Sequence, residues 1–329
     1  MELRDFPTVT PRIEWPTVAL AAIIYGMWIA LTLSWSALPL WALTLAGAWT
    51  TAWHMSLQHE IIHGHPTRRR WINNLIGQWP LALWLPFENY RHTHLAHHND
   101  ERLTDPLDDP ESYYWRREDW DGLGRVGRGL VRLQSFLLGR LAIGPLWACA
   151  TLWRREAAAV AAGEDRATRN VVAHLAQVAV VMAWVVGVCG MPPLTYLFCF
   201  AFAGTSLAMV RSFAEHRADS LVERRTAIVE RSWLLGPLFL FNNLHLAHHM
   251  RHTMPWYALP RWYAANRAAL IARNGGLVYD SYGDVFRRYL VRPHDQSLHP
   301  HRAAKLEPAT GLIERRANAP GRARPSDPR

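Results

Sequence analysis

Hydrophobic residues along the chain are gathered into long blocks, and charged residues lie between the blocks. Four blocks are each close to the ~20 apolar residues that a helix needs to cross a bilayer. They cover about residues 15–33, 38–57, 170–190 and 192–210. Because a helix satisfies its own backbone hydrogen bonds, this pattern predicts four membrane-spanning helices.

The four blocks come in two pairs, and each pair is joined by a short uncharged connector. "SWSALP" joins the first pair and "CGMPP" joins the second. Arginines are instead frequent in the central segment 58–169, which carries fifteen of them. Since positive residues stay in the cytoplasm, both pairs are predicted to be helical hairpins that enter from that side. The sequence therefore predicts an all-α integral membrane protein of the bacterial inner membrane, with both termini and a helical cap in the cytoplasm.

Three further apolar stretches are poor candidates for crossings. Residues 75–87 are too few to span and contain two prolines, so we expect an interfacial or re-entrant segment. Residues 133–153 are long enough, but Arg140 at mid-membrane would cost roughly 2.5–3.5 kcal/mol. This stretch is therefore predicted to be a helix lying in the interface, and residues 233–241 are a shorter case of the same kind.

Composition agrees with a membrane protein, because 50% of the residues are hydrophobic and only 19% are charged. The formal net charge is +9, and Lys305 is the only basic residue that is not arginine. Because the arginines flank apolar blocks, an anionic membrane surface is a better partner than nucleic acid. We expect one domain over residues 1–302. The segment 303–329 is rich in arginine, proline and alanine and is expected to be disordered.

Histidines recur in three short motifs at the expected cytoplasmic ends of the helices. They are "HEIIHGH" at 59–65, "HTHLAHH" at 92–98 and "HLAHH" at 245–249, and "EH" at 215–216 follows the last apolar block. Residues three and four positions apart share one face of a helix, so each motif directs several rings to one place. The nine candidate metal ligands are His59, His63, His94, His97, His98, His216, His245, His248 and His249.

The other histidines fit a metal site less well. Those beside the motifs are expected to support the ligands or the fold, and they are His65, His92 and His252. The isolated ones are expected to be ordinary hydrogen-bonded or solvated side chains, and they are His54, His174, His294, His299 and His301.

The number of ligands indicates which metal chemistry is expected. Imidazole nitrogens suit zinc, copper, iron and nickel. A zinc site takes about four ligands, so nine nitrogens are too many for one ion and suit two. Two adjacent irons can reduce dioxygen and supply an oxidant strong enough to break an unactivated C–H bond. The sequence therefore predicts two metal ions, and a pair of irons with dioxygen as co-substrate is the chemistry expected of them.

"HEIIH" at 59–63 also matches the H-E-x-x-H motif of zinc metalloproteases, in which the glutamate activates water. An intramembrane zinc protease is thus one alternative, with Asp105, Asp108 or Asp109 as its third ligand. This alternative leaves the other two motifs unexplained. In a di-metal protein, Glu60 would instead orient a ligand ring or its helix. A metal-handling membrane protein without catalytic activity is a further alternative.

The three motifs, in this order and with the two flanking hairpins, resemble the histidine boxes of the membrane fatty acid desaturases over roughly residues 15–265. The resemblance implies a mushroom-like helical fold with a di-iron centre in its cytoplasmic cap. It also implies that the three motifs supply eight of the nine ligands and that His216 is the additional ligand near the last crossing. Asn243 is a candidate for an indirect contact to the metals.

The resemblance also narrows the reaction. The first box has three residues between its histidines, as in acyl-lipid desaturases and carotenoid ketolases, whereas acyl-CoA desaturases have four. An acyl-lipid desaturase is the prediction, and a carotenoid ketolase or hydroxylase, or a lipid hydroxylase, stays open. No electron-carrier domain is recognisable in the sequence, so we expect a separate ferredoxin and its reductase. An acidic carrier would suit the arginine-rich face.

Overall fold

The computed structural model describes residues 3–4 and 11–300, and this part of the chain is mostly helical. The segment predicted to be disordered, 303–329, lies outside the described residues, as does His301. The α-helices are α1 Trp15–Leu33, α2 Leu40–Ile62, α3 Arg70–Gly77, α4 Phe87–His97, α5 Arg117–Gly122, α6 Arg125–Gln134, α7 Leu137–Ala161, α8 Asp165–Met182, α9 Pro193–Tyr196, α10 Ala203–Ala214, α11 Leu235–Leu238, α12 His245–Met250, α13 Leu259–Arg273 and α14 Tyr282–Tyr289.

The prediction of an entirely helical chain needs one correction. Two short strands, β1 Ile228–Val229 and β2 Val278–Tyr279, pair in parallel, with Ile228 opposite Val278. The Val229 N–H donates to the Asn243 carbonyl, so β1 lies directly beside the segment that leads into α12. The small sheet therefore fixes where the third histidine motif begins.

Three helical segments are long and apolar enough to cross a membrane, and they are Trp15–Leu33, Asp165–Val188 and Pro193–Ala214. They coincide with the first, third and fourth crossings predicted from the sequence. The second and third of these segments contain π-helical turns, at Ala183–Val188 and Leu197–Phe202. Helices α6 and α7 bring the count to four if they form one span, although they are bent by 117°.

The second predicted crossing, 38–57, forms α2, but α2 is not among the helices apolar enough to cross by themselves. It is long enough, with 23 residues, yet its length includes buried polar side chains such as Thr50, Thr51 and Ser56. These side chains are covered by other parts of the protein. The two-hairpin arrangement and its cytoplasmic orientation therefore remain predictions.

Helix α2 packs closely against the helical segment around α10, and glycines permit the approach. A Cβ atom added at Gly204 would lie 2.4 Å from the Thr51 Cβ, and one added at Gly47 would lie 2.8 Å from the Cys199 carbonyl oxygen. Small residues of this kind allow helix backbones to come together in membrane proteins. The contact fixes the middle of α2 against this segment.

The stretches predicted to be interfacial have different structures. Between α3 and α4 the chain forms turns, and the hydroxyl of Tyr196 donates to the buried carbonyl of Leu81. The stretch 133–153 contains most of α7. Arg140 donates to the Gln134 carbonyl and lies over the ring of Tyr113. The charge that argued against insertion of this stretch is therefore directed at other protein groups.

Candidate metal centre

The nine predicted ligands come from four places in the fold. Two lie in the last turn of α2 and at its end, three on and just after α4, one just after α10, and three on α12. The structure brings all nine together as two groups, in each of which the ligand atoms lie within 4.8 Å of one another. Cluster one is His59, His63, His94, His98 and His248, and cluster two is His97, His216, His245 and His249.

In cluster one the Nε2 atoms point towards one another. His94 Nε2 lies 3.1 Å from the Nε2 atoms of both His63 and His98. His248 Nε2 lies 3.1 Å from that of His98. The ring of His59 completes the group, with its centroid 4.5 Å from that of His94. Five imidazoles from three helices therefore surround one point.

Cluster two is a similar group of four converging rings, all of them buried. His216 Nε2 lies 3.0 Å from His97 Nε2 and 2.9 Å from His245 Nε2. The ring of His249 lies 4.7 Å from that of His245. The two clusters are in direct contact, because the rings of His98 and His249 stack with centroids 4.3 Å apart.

The donor atoms fit metal ions. Two neutral imidazoles whose Nε2 atoms face each other can share only one proton, so a ring of such atoms cannot satisfy itself by hydrogen bonding. Metal–imidazole bonds of about 2.1 Å place neighbouring ligand nitrogens about 3.0 Å apart at an octahedral ion. The separations of 2.9–3.1 Å seen in both clusters match that spacing. Each cluster can therefore hold one ion.

Burial keeps most of the rings in the neutral form, which is the form that binds metals. It lowers the pKa of His98 to about 2, with help from the nearby rings of His94 and His97. The pKa values of His245, His248 and His249 are also held well below the usual range by burial and by neighbouring histidines. Neutral imidazole is the form that binds metals. These rings thus offer lone pairs at ordinary pH.

His97 differs because two carboxylates face it. Its Nδ1 lies 2.9 Å from Asp109 Oδ1, and its Nε2 lies 4.0 Å from Glu111 Oε2. Burial acts to lower the pKa of His97, but Glu111 and Asp109 outweigh it and raise this pKa to about 9. The metal-free ring is therefore protonated, and a metal at Nε2 would displace that proton.

Glu111 connects the two clusters. Its Oε1 lies 3.1 Å from His94 Nδ1 in cluster one, and its other oxygen faces His97 in cluster two. Partial burial acts to raise the pKa of Glu111, but the imidazoles of His94 and His97 hold it below the usual range. Glu111 therefore carries a negative charge that both metal ions would share.

Two further rings of cluster two, those of His216 and His245, are oriented by acceptors on their far side. His245 Nδ1 lies 3.0 Å from Asn242 Oδ1 and 3.2 Å from Glu215 Oε1. His216 Nδ1 lies 3.2 Å from the carbonyl oxygen of Arg225. Acceptors of this kind fix which ring nitrogen is free for a metal and raise its basicity.

The amide that contacts ligand rings directly is that of Asn242, and the indirect contact expected of Asn243 stays a prediction. Asn243 donates instead to the Val229 carbonyl, because β1 pairs with the backbone at that position. Asn242 contacts His245 and lies 3.3 Å from His59 Nε2, so it touches both clusters. The roles of Glu111 and Glu215 were also missed, although acidic residues follow the second motif and precede His216 in the sequence.

The arrangement of "HEIIH" differs from that of a zinc protease. His59 and His63 both belong to cluster one. Glu60 instead accepts a hydrogen bond from the Trp256 N–H and lies 3.7 Å from His65 Nε2. Asp109, offered as a third protease ligand, contacts His97 of cluster two. Glu60 is thus placed to fix its helix against the Trp256 loop and does not face the five rings.

The remaining histidines in the described residues lie outside both clusters. His252 is exposed, and its ring lies 5.2 Å from that of His98 at the edge of cluster one. His92 is exposed on α4. The isolated histidines make local hydrogen bonds, with His54 to Tyr25, His174 to the Leu83 carbonyl, His294 to Tyr279 and His299 to Thr104.

The apolar helices and the paired histidine clusters define a membrane protein with a site for metal ions. The family model of fatty acid desaturases matches residues 33–283, and the chain belongs to that family. The resemblance found in the histidine motifs is therefore confirmed. No curated protein matches the chain.

Proposed function

We propose that the protein is a di-iron membrane oxygenase that introduces a double bond into the acyl chain of a lipid. Membership of the desaturase family supports an oxidoreductase that acts on a lipid. The observation that carries the proposal is the pair of adjacent clusters, five and four imidazoles, in each of which the ligand nitrogens lie within 4.8 Å of one another. A zinc protease needs only one such group. It also needs a glutamate that faces the metal, and Glu60 does not face the five rings of cluster one.

The nine histidines are the proposed ligands, with one iron held by each cluster. When bound, a pair of irons supplies the capacity to reduce dioxygen and to oxidise an unactivated methylene. The side chains of Asp109, Asn242, Glu215 and Glu111 orient the ligand rings. Burial of eight of the nine rings keeps bulk water away from the site.

Charge around the centre is arranged to receive cations. Glu111 and Asp109 lie beside the ligands, and Glu215 pairs with both Arg211 and His245. The carboxylates offset part of the positive charge that two metal ions bring into a buried site. Electrons would come from a separate donor, and a ferredoxin with its reductase is the proposed source.

The test is to express the chain in a bacterium with a ferredoxin and its reductase, and to analyse whole-cell lipids by mass spectrometry. Acyl chains two hydrogens lighter, with a double bond at one position, are expected. The matched control is His248→Ala, which removes one ring of cluster one and should give none. Hydroxylated chains or altered carotenoids would replace the proposed reaction with one of the related oxidations.

Metal content separates the wider alternatives. Two irons per chain in the purified protein are expected, together with oxygen consumption that depends on reduced ferredoxin. One zinc per chain and no iron would contradict the proposal and favour a hydrolase. Bound metal without oxygen consumption would instead favour a protein that only handles metals.

A further inference from the structure

Two adjacent tyrosines, Tyr113 and Tyr114, link the loop that carries Glu111 to the segment that carries His216. Their rings stack with centroids 4.6 Å apart. The Tyr113 hydroxyl donates to the His216 carbonyl at 2.7 Å, and the Tyr114 hydroxyl accepts from the Ala218 N–H at 2.8 Å. The pair therefore holds the backbone at a predicted metal ligand and just after it.

His216 differs from the other eight predicted ligands in how its backbone is supported. Those eight lie on α2, α4 or α12, or at the first residue after α2 or α4. His216 instead lies two residues beyond the end of α10, in an isolated β-bridge with Thr226. Hydrogen bonds within a helix fix the backbone of most of the other ligands. At His216 the bond from Tyr113 to its carbonyl supplies part of that support.

The segment 294–299, which follows α14, holds the tyrosines in turn. The Tyr114 hydroxyl donates to Asp295 Oδ2 at 2.5 Å. The Trp115 N–H donates to the Ser297 carbonyl at 2.9 Å, and the Trp115 carbonyl accepts from the backbone two residues further on. Tyr114 is buried, so its hydroxyl would lose its acceptor without replacement by bulk water if the segment moved away.

His294 adds a second connection to Tyr113. Burial lowers the pKa of His294 to about 3, so its ring is neutral and carries a single N–H. The ring Nε2 lies 2.8 Å from the Tyr279 hydroxyl, which can donate to it, and Nδ1 lies 3.4 Å from the Tyr113 hydroxyl. With Tyr279 as donor, the ring proton belongs on Nδ1 and faces the Tyr113 oxygen. That oxygen can accept it while its own proton goes to the His216 carbonyl.

We propose that Tyr113 is a positioning residue for the metal ion of cluster two, because it fixes the backbone of His216, and that the segment 294–299 holds Tyr113 in place. This inference rests on the ligand set proposed above but not on the reaction. The segment 294–299 lies outside residues 33–283, which the family model matches. Part of the support for the metal centre thus comes from beyond the matched region.

The test measures the cobalt(II) affinity of the full-length, metal-free protein in two backgrounds. His63→Ala/His248→Ala leaves cluster two as the tighter site, and His97→Ala/His249→Ala leaves cluster one. Imidazole binds cobalt(II), and the visible absorption of the ion reports binding without oxygen chemistry. Tyr113→Phe removes only a hydroxyl and should weaken binding to cluster two about fivefold, the scale of one neutral hydrogen bond. Binding to cluster one should not change.

Tyr263→Phe is the matched control, because it removes a tyrosine hydroxyl that donates to Glu230 on another side of the cap, and it should leave both affinities unchanged. Weaker binding to both clusters in Tyr113→Phe would show a general role in the fold and would overturn the proposal. Unchanged binding to cluster two would also overturn it, and the function proposed above would stand. If neither background binds cobalt, the ligand set is wrong and both proposals fail.

A second variant covers the case in which Tyr113→Phe does not fold. Asp295→Ala removes the acceptor of the Tyr114 hydroxyl and leaves both tyrosines in place. It should weaken cobalt binding to cluster two alone, and Asp295→Asn, which keeps an acceptor oxygen, should restore the affinity. Gln296→Ala, at the exposed neighbouring position, is the control and should have no effect. Unchanged affinity of cluster two in Asp295→Ala would overturn the role proposed for the C-terminal segment.

Discussion

The two histidine clusters differ in how their rings are supported and in their exposure to solvent. Cluster two is wholly buried, and the Nδ1 atoms of His97, His216 and His245 each face an acceptor. In cluster one His98 is only partly buried, and His63 Nδ1 has no hydrogen-bond partner within the described residues. The second and third motifs each supply rings to both clusters, so the motifs alone do not predict this difference.

The comparison shows that one sequence motif can serve two different environments. His94 and His97 lie one turn apart on α4, yet they enter different clusters. Far-side acceptors orient a ligand ring and raise its affinity for a metal. The ion in cluster two should therefore be held more firmly, and the ion in cluster one should exchange more readily.

The largest effect is expected when a ligand is removed from either cluster. His97→Ala and His248→Ala each delete one ring, and a centre that needs two ions fails with either one. Product formation should fall by at least about 100-fold, more than the loss of a supporting contact. Iron per chain should fall, while membrane insertion is retained. Full turnover by either variant would show that the ligand assignment is wrong.

The supporting carboxylates should have a smaller effect that differs between the clusters. Asp109→Asn keeps the shape of the side chain but removes the charge beside His97, and metal affinity should fall about 10–100-fold. Glu111→Gln should weaken both ions, because Glu111 faces a ring of each cluster. Metal titration of the metal-free variants measures both effects. Asp108→Asn, at an exposed position of the same loop, is the control and should bind as the wild type does.

Chelation compares the two clusters within one molecule. Iron release from the wild type to a chelator should occur in two phases of equal size, separated several-fold in rate, since outer contacts alone change affinity by about tenfold or more. Asp109→Asn should accelerate only the slower phase. A single phase for the wild type would contradict the proposed difference in stability.

The smallest effect is expected at the exposed edge of cluster one. The ring of His252 lies beside those of His63 and His98, at 5.5 and 5.2 Å. His252→Ala should raise the faster rate of iron release by about twofold, the scale of an exposed substitution. His92→Ala, also exposed but on the outer side of α4, should leave both rates unchanged. Acceleration of the slow phase by His252→Ala would mean that His252 affects cluster two, and its assignment to the edge of cluster one would be wrong.

The structure brings together the nine histidines that the sequence predicts as ligands, because the spacing within each motif is local. Residues such as His245, His248 and His249 share a helix face, and the motif alone brings them together. The division of nine rings into five and four depends on how α2, α4 and α12 pack, which no single motif encodes. The choice of Asn242 over Asn243 depends on the pairing of β1 with a distant backbone segment.

The parts of the fold that were predicted well are likewise those that local sequence determines. Long apolar blocks such as Trp15–Leu33 predict helices because their own composition is decisive. Helix α2 was predicted from the same signal, but the burial of its polar side chains depends on the helices that pack against it. Glu14 and His65 show the limit most clearly, because α1 and α2 separate them in the sequence and the structure places them in contact.

The polarity of α2 also bears on how the chain is made. The nascent helix leaves the ribosome after α1 but long before α10, its closely packed neighbour, has been synthesised. Until then only α1 is present to cover its threonines. In the predicted four-crossing topology, this helix would stay beside the translocon until α10 is made, and the glycine contacts at Gly47 and Gly204 would then complete its insertion.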